Sequence, residues 1–165
     1  MRKYIYLLAI ALCSALTLGS CSDDDDNVSV PEAVQTAFTA KYPNANRVGW
    51  EIKSGFYVAE FHENATETEV WFSKEGTWNM TETDYGRNIS LIPATVKSAF
   101  ESSEYSTWSI DDVSKYERED ITFYLIEIES RGQKDRHLFY GEDGTLIKDI
   151  AESGNDDIFP FTPVP

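Results

Sequence analysis

The segments Phe-Tyr-Val-Ala-Glu-Phe at residues 56–61 and Phe-Tyr-Leu-Ile-Glu-Ile at residues 123–128 decide the fold of this chain. Both have the alternating, β-branched and aromatic composition of a β-strand. The second, fourth and sixth residues of each are expected to point to one side of a sheet, and the others to the opposite side. Because the pattern occurs twice, it indicates an internal repeat.

A helix signal precedes each strand pattern. Pro31 and Pro93 each stand at a predicted helix start, where the missing N–H of proline costs nothing. Apolar residues follow at helical spacing, at a constant offset of 62 residues: Val34, Ala37 and Phe38, then Val96, Ala99 and Phe100. Pro43 is expected to end the first helix.

Hairpin turns close each repeat. Lys74-Glu75-Gly76 and Glu142-Asp143-Gly144 are predicted turns whose glycines adopt the left-handed conformation. The sequence therefore predicts an α+β fold of two tandem repeats, residues 30–84 and 92–150. Each repeat is expected to contain one helix and a four-stranded antiparallel sheet, with the helices packed on one sheet face. Residues 151–165 are expected to form an extended C-terminal tail, ordered only if its phenylalanines dock.

The first twenty residues are typical of an export signal. Arg2 and Lys3 form a basic start, residues 4–18 are mostly apolar, and the small residues Gly19 and Ser20 follow. The apolar run is shorter than the roughly 20 residues that a transmembrane helix needs, which favours a removable signal over a permanent N-terminal anchor helix.

The segment Leu18-Gly19-Ser20-Cys21 resembles the lipobox of bacterial lipoproteins, with Ser20 where glycine or alanine is commoner. The resemblance implies that Cys21 is lipidated and becomes the new N-terminus, anchoring the protein to a membrane through its acyl chains. Since Cys13 lies in the signal, no intramolecular disulfide is expected in the mature chain.

An acidic run follows the predicted lipidation site directly: Ser22, Asp23, Asp24, Asp25 and Asp26. It resembles the surface-export signal of lipoproteins in one phylum of gut-dwelling Gram-negative bacteria. The alternative is a solvated acidic tether over residues 21–29, extended by charge repulsion. The expected location is the outer membrane, exposed at the cell surface, or otherwise the periplasm.

The composition excludes some functions. The formal charge is −15, from 14 basic and 29 acidic residues, and loss of the signal would make it more negative. Such a chain repels a phosphate backbone, so nucleic-acid binding is not expected.

No catalytic or metal-binding pattern stands out. The two histidines, His62 and His137, fall in or beside strands of different repeats, whereas a zinc site needs three or four ligands. No Gly-x-Ser-x-Gly nucleophile turn occurs. Acidic pairs such as Glu67 and Glu69 are interpreted as one solvated strand face. The sequence predicts a protein that is not an enzyme and has neither a metal nor a cofactor.

Aromatic residues provide the candidate binding surface. The helices can cover only one sheet face, so the opposite face is expected to carry some of Phe56, Val58, Trp71, Phe123, Leu125 and Phe139. An exposed aromatic patch would suit a protein interface; the alternative is that these are ordinary core residues. The candidate partner-binding residues are Trp71, Phe139, Phe56, Phe123, Trp50 and Trp78.

Several of these features together resemble the PepSY-like family, also called beta-lactamase-inhibitor-protein-like. They are the proline-led helix, the Tyr42-Pro43 helix exit, the Tyr-x-Ala/Ile-Glu strand and the aromatic-x-x-x-Gly-Thr hairpin. The second repeat departs from the pattern, with Glu104-Tyr105-Ser106 in place of the Tyr-Pro exit. The resemblance implies a helix packed on a curved antiparallel sheet and, by analogy with the related inhibitor, a sheet surface that clasps a protein partner.

The leading functional hypothesis is a non-catalytic exported lipoprotein that binds a protein partner through its sheet, as an inhibitor or sensor of an envelope enzyme. The alternative is a cell-surface protein that binds a glycan or small ligand, with tryptophans stacking on sugar rings. The second hypothesis requires one or two exposed tryptophans in a groove, whereas protein binding requires a broad apolar patch with a polar rim.

Overall fold

A computed structural model describes residues 28–63, 66–153 and 158–162, and these form two helices and one antiparallel sheet. The predicted signal, Cys21 and the acidic run lie outside the described residues. Helix α1 spans Glu32–Lys41 and is followed by strands β1 (Gly49–Lys53), β2 (Phe56–Glu63), β3 (Thr66–Phe72) and β4 (Trp78–Asp84). A short 3₁₀ turn and helix α2 (Ala94–Glu101) come next, then β5 (Ser109–Glu117), β6 (Thr122–Glu129), β7 (Arg136–Gly141) and β8 (Leu146–Ala151).

The eight strands form one continuous sheet in the order in which they occur along the chain. Every neighbouring pair is antiparallel, including β4 and β5, which pair from Thr81 opposite Glu117 to Asp84 opposite Ser114. The predicted α+β class and antiparallel pairing are therefore confirmed. The sheet joins the two sets of four strands, a point that the sequence left open.

Both helices begin one residue later than predicted, since Pro31 and Pro93 occupy the N-cap positions and not the first helical positions. Helix α1 ends just before Tyr42 and Pro43, as predicted, because proline cannot continue a helix. Each helix buries a valine and a phenylalanine four residues apart, which places both side chains on one helical face.

The two helices cover the same face of the sheet, here called the helix face. Phe38 of α1 packs among aromatic rings, with its centroid 5.3 Å from that of Trp50 and 5.6 Å from that of Phe61. Around α2, Val96 and Phe100 pack against residues of β5, β6 and β7. Burial of apolar surface in these contacts contributes roughly 25 cal/mol of stabilising free energy per Å². Because helices this short are marginally stable in water, they depend on the sheet for stability.

Two glycine turns attach the hairpins to the helices. Gly76 and Gly144 have φ of +84° and +86°, which confirms the predicted left-handed turns. A Cβ atom at Gly76 would lie 2.6 Å from the carbonyl oxygen of Ala33, and one at Gly144 would lie 2.7 Å from that of Thr95. Each turn therefore packs against the first turn of the helix that precedes it, which only glycine permits.

Among the described residues, no helix is both long and apolar enough to cross a bilayer.

Candidate functional site

The sheet face opposite the helices, here called the open face, carries the predicted aromatic cluster. The sequence predicted some of six named residues on this face, and the structure places all six there, five of them buried in one cluster and Phe56 half-buried against it. Met80 and Tyr116 join them, and we call this set the aromatic half of the open face: Phe56, Val58, Trp71, Met80, Tyr116, Phe123, Leu125 and Phe139. Rows of cross-strand partners such as Val58 opposite Trp71, and Leu125 opposite Phe139, explain the gathering.

The structure separates Trp50 and Trp78 from this cluster. Both are half-buried on the helix face beside α1, where the Trp78 indole N–H donates to Thr81 Oγ1 at 2.9 Å. Strand alternation explains Trp50, because neighbouring residues of a strand point to opposite sheet faces. Trp78 has the same parity as Met80 on the open face, but the β3–β4 register shifts between Trp71 and Phe72, which places Trp78 opposite Phe72 on the helix face. These two residues therefore belong to the core and do not adjoin the other four candidates.

The expected exposed aromatic patch is in fact covered. Trp71 is 3% exposed, and Phe139 is 8% exposed. Residues 158–162, here called the C-terminal segment, lie over them: Ile158 is itself buried in the cluster, and the Phe159 ring packs edge-on against Trp71 at 5.8 Å. The C-terminal segment thus covers this surface, for which the sequence left two alternatives open, an exposed interface or ordinary core residues.

An acidic half adjoins the aromatic half on the open face, and the sequence reading missed it. Glu60, Glu69 and Glu82 stand directly opposite one another in β2, β3 and β4. Like charges directly opposite each other destabilise a sheet. Strand register was the only signal that could have found this row, because the three residues are far apart in the sequence. The acidic half comprises Glu51, Glu60, Glu67, Glu69, Glu82, Asp84 and Asp112.

Lys53 partly compensates the acidic half. The carboxylates of Glu51, Glu60 and Glu69 offer oxygen atoms within 4.8 Å of one another, and Lys53 Nζ lies 2.8 Å from Glu51 and 2.6 Å from Glu69. Burial lowers the pKa of Lys53, but hydrogen bonds to the two carboxylates outweigh burial and raise it above its ordinary value. The ammonium group therefore offsets part of the negative charge of these carboxylates.

Two carboxyl groups of the acidic half have pKa values that are raised towards neutral pH. Burial raises the pKa of Glu82 to about 7, against the lowering effect of a hydrogen bond that Tyr116 donates at 2.7 Å. Burial and the neighbouring Asp84 raise the pKa of Asp112 to about 6. These groups therefore make the charge of the open face depend on pH within the physiological range.

The two histidines also lie on the open face, but they belong to different strands, β2 and β7, and are not brought together in one group. His62 is exposed, with Nε2 3.7 Å from Glu67, whereas His137 is 5% exposed, with Nε2 3.8 Å from Glu127. A shallow cleft of about 490 Å³ is lined by Tyr42, His62 and Glu63, among other residues. The Tyr42 hydroxyl group is hydrogen-bonded to that of Thr81. Within the described part of the chain, the cleft brings one histidine together with one carboxylate and no serine or cysteine nucleophile.

None of the four tryptophans is exposed, since Trp71 is buried and Trp50, Trp78 and Trp108 are half-buried. A sugar ring stacks on an open aromatic face. The structure therefore provides no exposed indole platform for the glycan hypothesis.

The described residues thus form a small α+β protein, with one antiparallel sheet, helices on one face, and aromatic and acidic side chains side by side on the other. The chain belongs to the family described as "putative beta-lactamase-inhibitor-like, PepSY-like", whose model matches residues 25–65 and again residues 55–148. The resemblance inferred from the sequence is confirmed.

Solved structures agree. A BLIP-like protein from Bacteroides fragilis is 35% identical, with a TM-score of 0.75 over 85% of this chain and 100% of that one. A DUF2874 family protein from Bacteroides ovatus is 32% identical, with a TM-score of 0.71 over 75% of this chain and 89% of that one. A protein from Bacteroides eggerthii described as "putative periplasmic" is 26% identical, with a TM-score of 0.69 over 75% and 90% of the two chains. A search of curated proteins finds no match.

Proposed function

We propose that this protein is a non-catalytic, exported lipoprotein that binds a protein partner through the open face of its sheet, as an inhibitor or sensor of an envelope enzyme. The observation that supports the proposal best is the composition of that face. Four candidate aromatic residues lie on it, beside a row of carboxylates. The mutual repulsion of these carboxylates destabilises the protein when no partner is bound. A partner whose lysine or arginine side chains meet the carboxylates would complement the acidic half, and its apolar side chains would complement the aromatic half by taking the place of residues 158–162.

Two tandem repeats are proposed for residues 30–84 and 92–150. Their support is the element order, in which each helix precedes four strands, and the matching contacts of Gly76 with Ala33 and of Gly144 with Thr95. The duplication produces a sheet of twice the width, which offers a partner a broader surface than a single repeat would.

Anchoring is proposed at Cys21, after cleavage of residues 1–20, with residues 21–29 as an acidic tether and Asp23–Asp26 as a surface-export signal. Support comes from the lipobox-like sequence and from its position directly before the acidic run. Metabolic labelling with a palmitate analogue tests the anchor, since Cys21→Ser should abolish the label. Protease treatment of intact cells tests the export signal, since alanine at the four aspartates should make the protein resistant.

Affinity capture from envelope extract tests the binding face. The bait is the chain from residue 22, which keeps every described residue and all three hydrophobic clusters. Reversing two open-face charges, Glu60→Lys with Glu67→Lys, should remove a partner that the unmodified bait captures. The matched control, Glu32→Lys with Glu101→Lys, reverses two exposed charges on the helices and should leave capture intact.

Equal capture by both double variants would contradict the proposal, because binding would then not depend on the open face. Loss of capture with the helix variant alone would assign binding to the other side of the molecule. Circular dichroism and the melting temperature of each variant establish that it is folded before capture is compared.

A further inference from the structure

The C-terminal segment sits on the aromatic half of the open face like a bound peptide. Ile158 is buried in the cluster, and the Phe159 ring meets Trp71 edge-on. The Phe161 ring stacks on Phe56 at 6.3 Å and on Phe159 at 5.4 Å. The side chains of Ile158, Phe159 and Phe161 thus all contact the sheet or one another.

The backbone of the segment is held as well as its side chains. Arg118, in the loop after β5, donates from Nη1 to the carbonyl oxygen of Thr162 at 2.6 Å and from Nη2 to that of Phe159 at 2.7 Å. Two further bonds close a turn: the Thr162 N–H donates to the Phe159 carbonyl, and the Phe159 N–H donates to Thr162 Oγ1, both at 2.9 Å. Pro160 occupies the second turn position, which its fixed φ suits. Within the tail expected to be extended, residues 159–162 therefore form a turn.

This combination is the usual basis of peptide recognition. Bonds to main-chain groups provide affinity for any sequence, and side-chain pockets provide specificity. Here the Arg118 guanidinium group donates to two carbonyl groups, while Trp71 and Phe56 contact the rings of Phe159 and Phe161.

The resident segment fits the site incompletely. Trp71 Nε1 is buried without a hydrogen-bond partner among the described residues, and an unmet buried donor is costly. Phe161 remains 64% exposed. A segment that offered a carbonyl group to the indole N–H and buried its second aromatic ring more fully would bind better than the chain's own.

We infer that the aromatic half of the open face is a peptide-binding site for a short turn of the aromatic-Pro-aromatic type. The chain's own residues 158–162 are its resident ligand, and a segment of the same chemistry from another protein binds by displacing them. The inference goes beyond the proposed function, because binding of a peptide in trans is measurable without any envelope protein.

A site-emptied variant provides the test. Phe159→Ser with Phe161→Ser, made in the chain from residue 22, removes both ring contacts and keeps the rest of the chain. The probe is a fluorescent peptide with the sequence of residues 158–165, Ile-Phe-Pro-Phe-Thr-Pro-Val-Pro. A matched peptide carries serine in place of both phenylalanines.

Fluorescence anisotropy should show at least about tenfold tighter peptide binding to the emptied variant than to the unmodified chain, because a tethered ligand competes at high effective concentration. The serine-substituted peptide should bind at least about tenfold more weakly, because it lacks the two anchoring rings. Arg118→Lys in the emptied variant should also weaken binding, because lysine cannot donate to both carbonyl groups in one plane.

Equal binding to the emptied and unmodified chains would overturn the inference, as would no binding to an emptied variant that is folded by circular dichroism. If the double variant does not fold, Phe159→Ser serves instead, since it removes the ring that packs on Trp71 and keeps Phe161. Absence of peptide binding to that folded variant would also overturn the inference. A concentration-dependent dimer of the unmodified chain would identify a second copy as the occupant and reject a foreign segment. Envelope capture can succeed while peptide binding fails, so the two proposals fail separately.

Discussion

Replacing Glu82 by glutamine should stabilise this protein, and by a larger amount at alkaline pH than in mild acid. Glu82 lies in a largely buried row between Glu69 and Tyr116, and burial raises its pKa from 4.5 to about 7. Glutamine has the same shape, carries no charge, and can still accept the hydrogen bond that the Tyr116 hydroxyl group donates at 2.7 Å.

The sign of the effect follows from the direction of the pKa change. Because folding raises the pKa of Glu82, the folded state holds a proton that the unfolded state has lost between pH 4.5 and about pH 7. The favourable contribution of this proton is fully present below the unfolded pKa and is lost as the pH rises through the folded pKa. One pKa unit corresponds to about 1.36 kcal/mol, so the free energy of unfolding should fall by about 2 kcal/mol between about pH 5.5 and about pH 8.

Glu82→Gln should abolish this fall. Its advantage over the unmodified chain should grow by about 2 kcal/mol across the same interval, which corresponds to about 4–8 °C in melting temperature for a chain of this size. Urea unfolding followed by circular dichroism at the two pH values measures it. Glu75→Gln, in an exposed hairpin turn, is the matched control and should have no effect at either pH. An equal advantage at both pH values, or a less stable Glu82→Gln variant in alkali, would refute the assigned cause.

Three further predictions concern stability. Gly76→Ala and Gly144→Ala should each lower the free energy of unfolding by about 2–4 kcal/mol in a urea titration, because the added Cβ meets a helix carbonyl group and alanine is strained at positive φ. The control is Gly55→Ala, which has a similar φ but open space around the Cβ, and it should cost only about 1 kcal/mol. Phe38→Ala should cost about 3–5 kcal/mol in chemical denaturation, because α1 loses its central aromatic anchor. Lys53→Met should lower the melting temperature in low salt and lower it less in high salt, because the lysine screens two nearby carboxylates; a loss independent of salt would contradict an electrostatic cause.

The sequence was sufficient for local structure. The two strands at residues 56–61 and 123–128 alternate as predicted, and Pro43 ends α1 because proline cannot donate the next helical hydrogen bond. Gly76 and Gly144 adopt positive φ at the predicted hairpins. These features depend on the covalent geometry of single residues or on a period of two, both of which can be read from neighbouring positions.

Positions far apart in the sequence decided the site. The row of Glu60, Glu69 and Glu82 exists only because strand register places them opposite one another, and a shift of one residue would have turned them to the helix face. Alternation relative to α1 placed Trp50 on the helix face, apart from Trp71 on the open face.

The sequence by itself determined the class of fold, the paired helix and strand signals, and a set of aromatic residues too large for one covered sheet face. Only the tertiary structure decided which aromatics share the open face, that carboxylates line its other half, and that residues 158–162 occupy it. The physical reason is that propensity and periodicity act over a few residues, whereas register, burial and the docking of a terminal segment depend on surfaces that exist only once the sheet has formed.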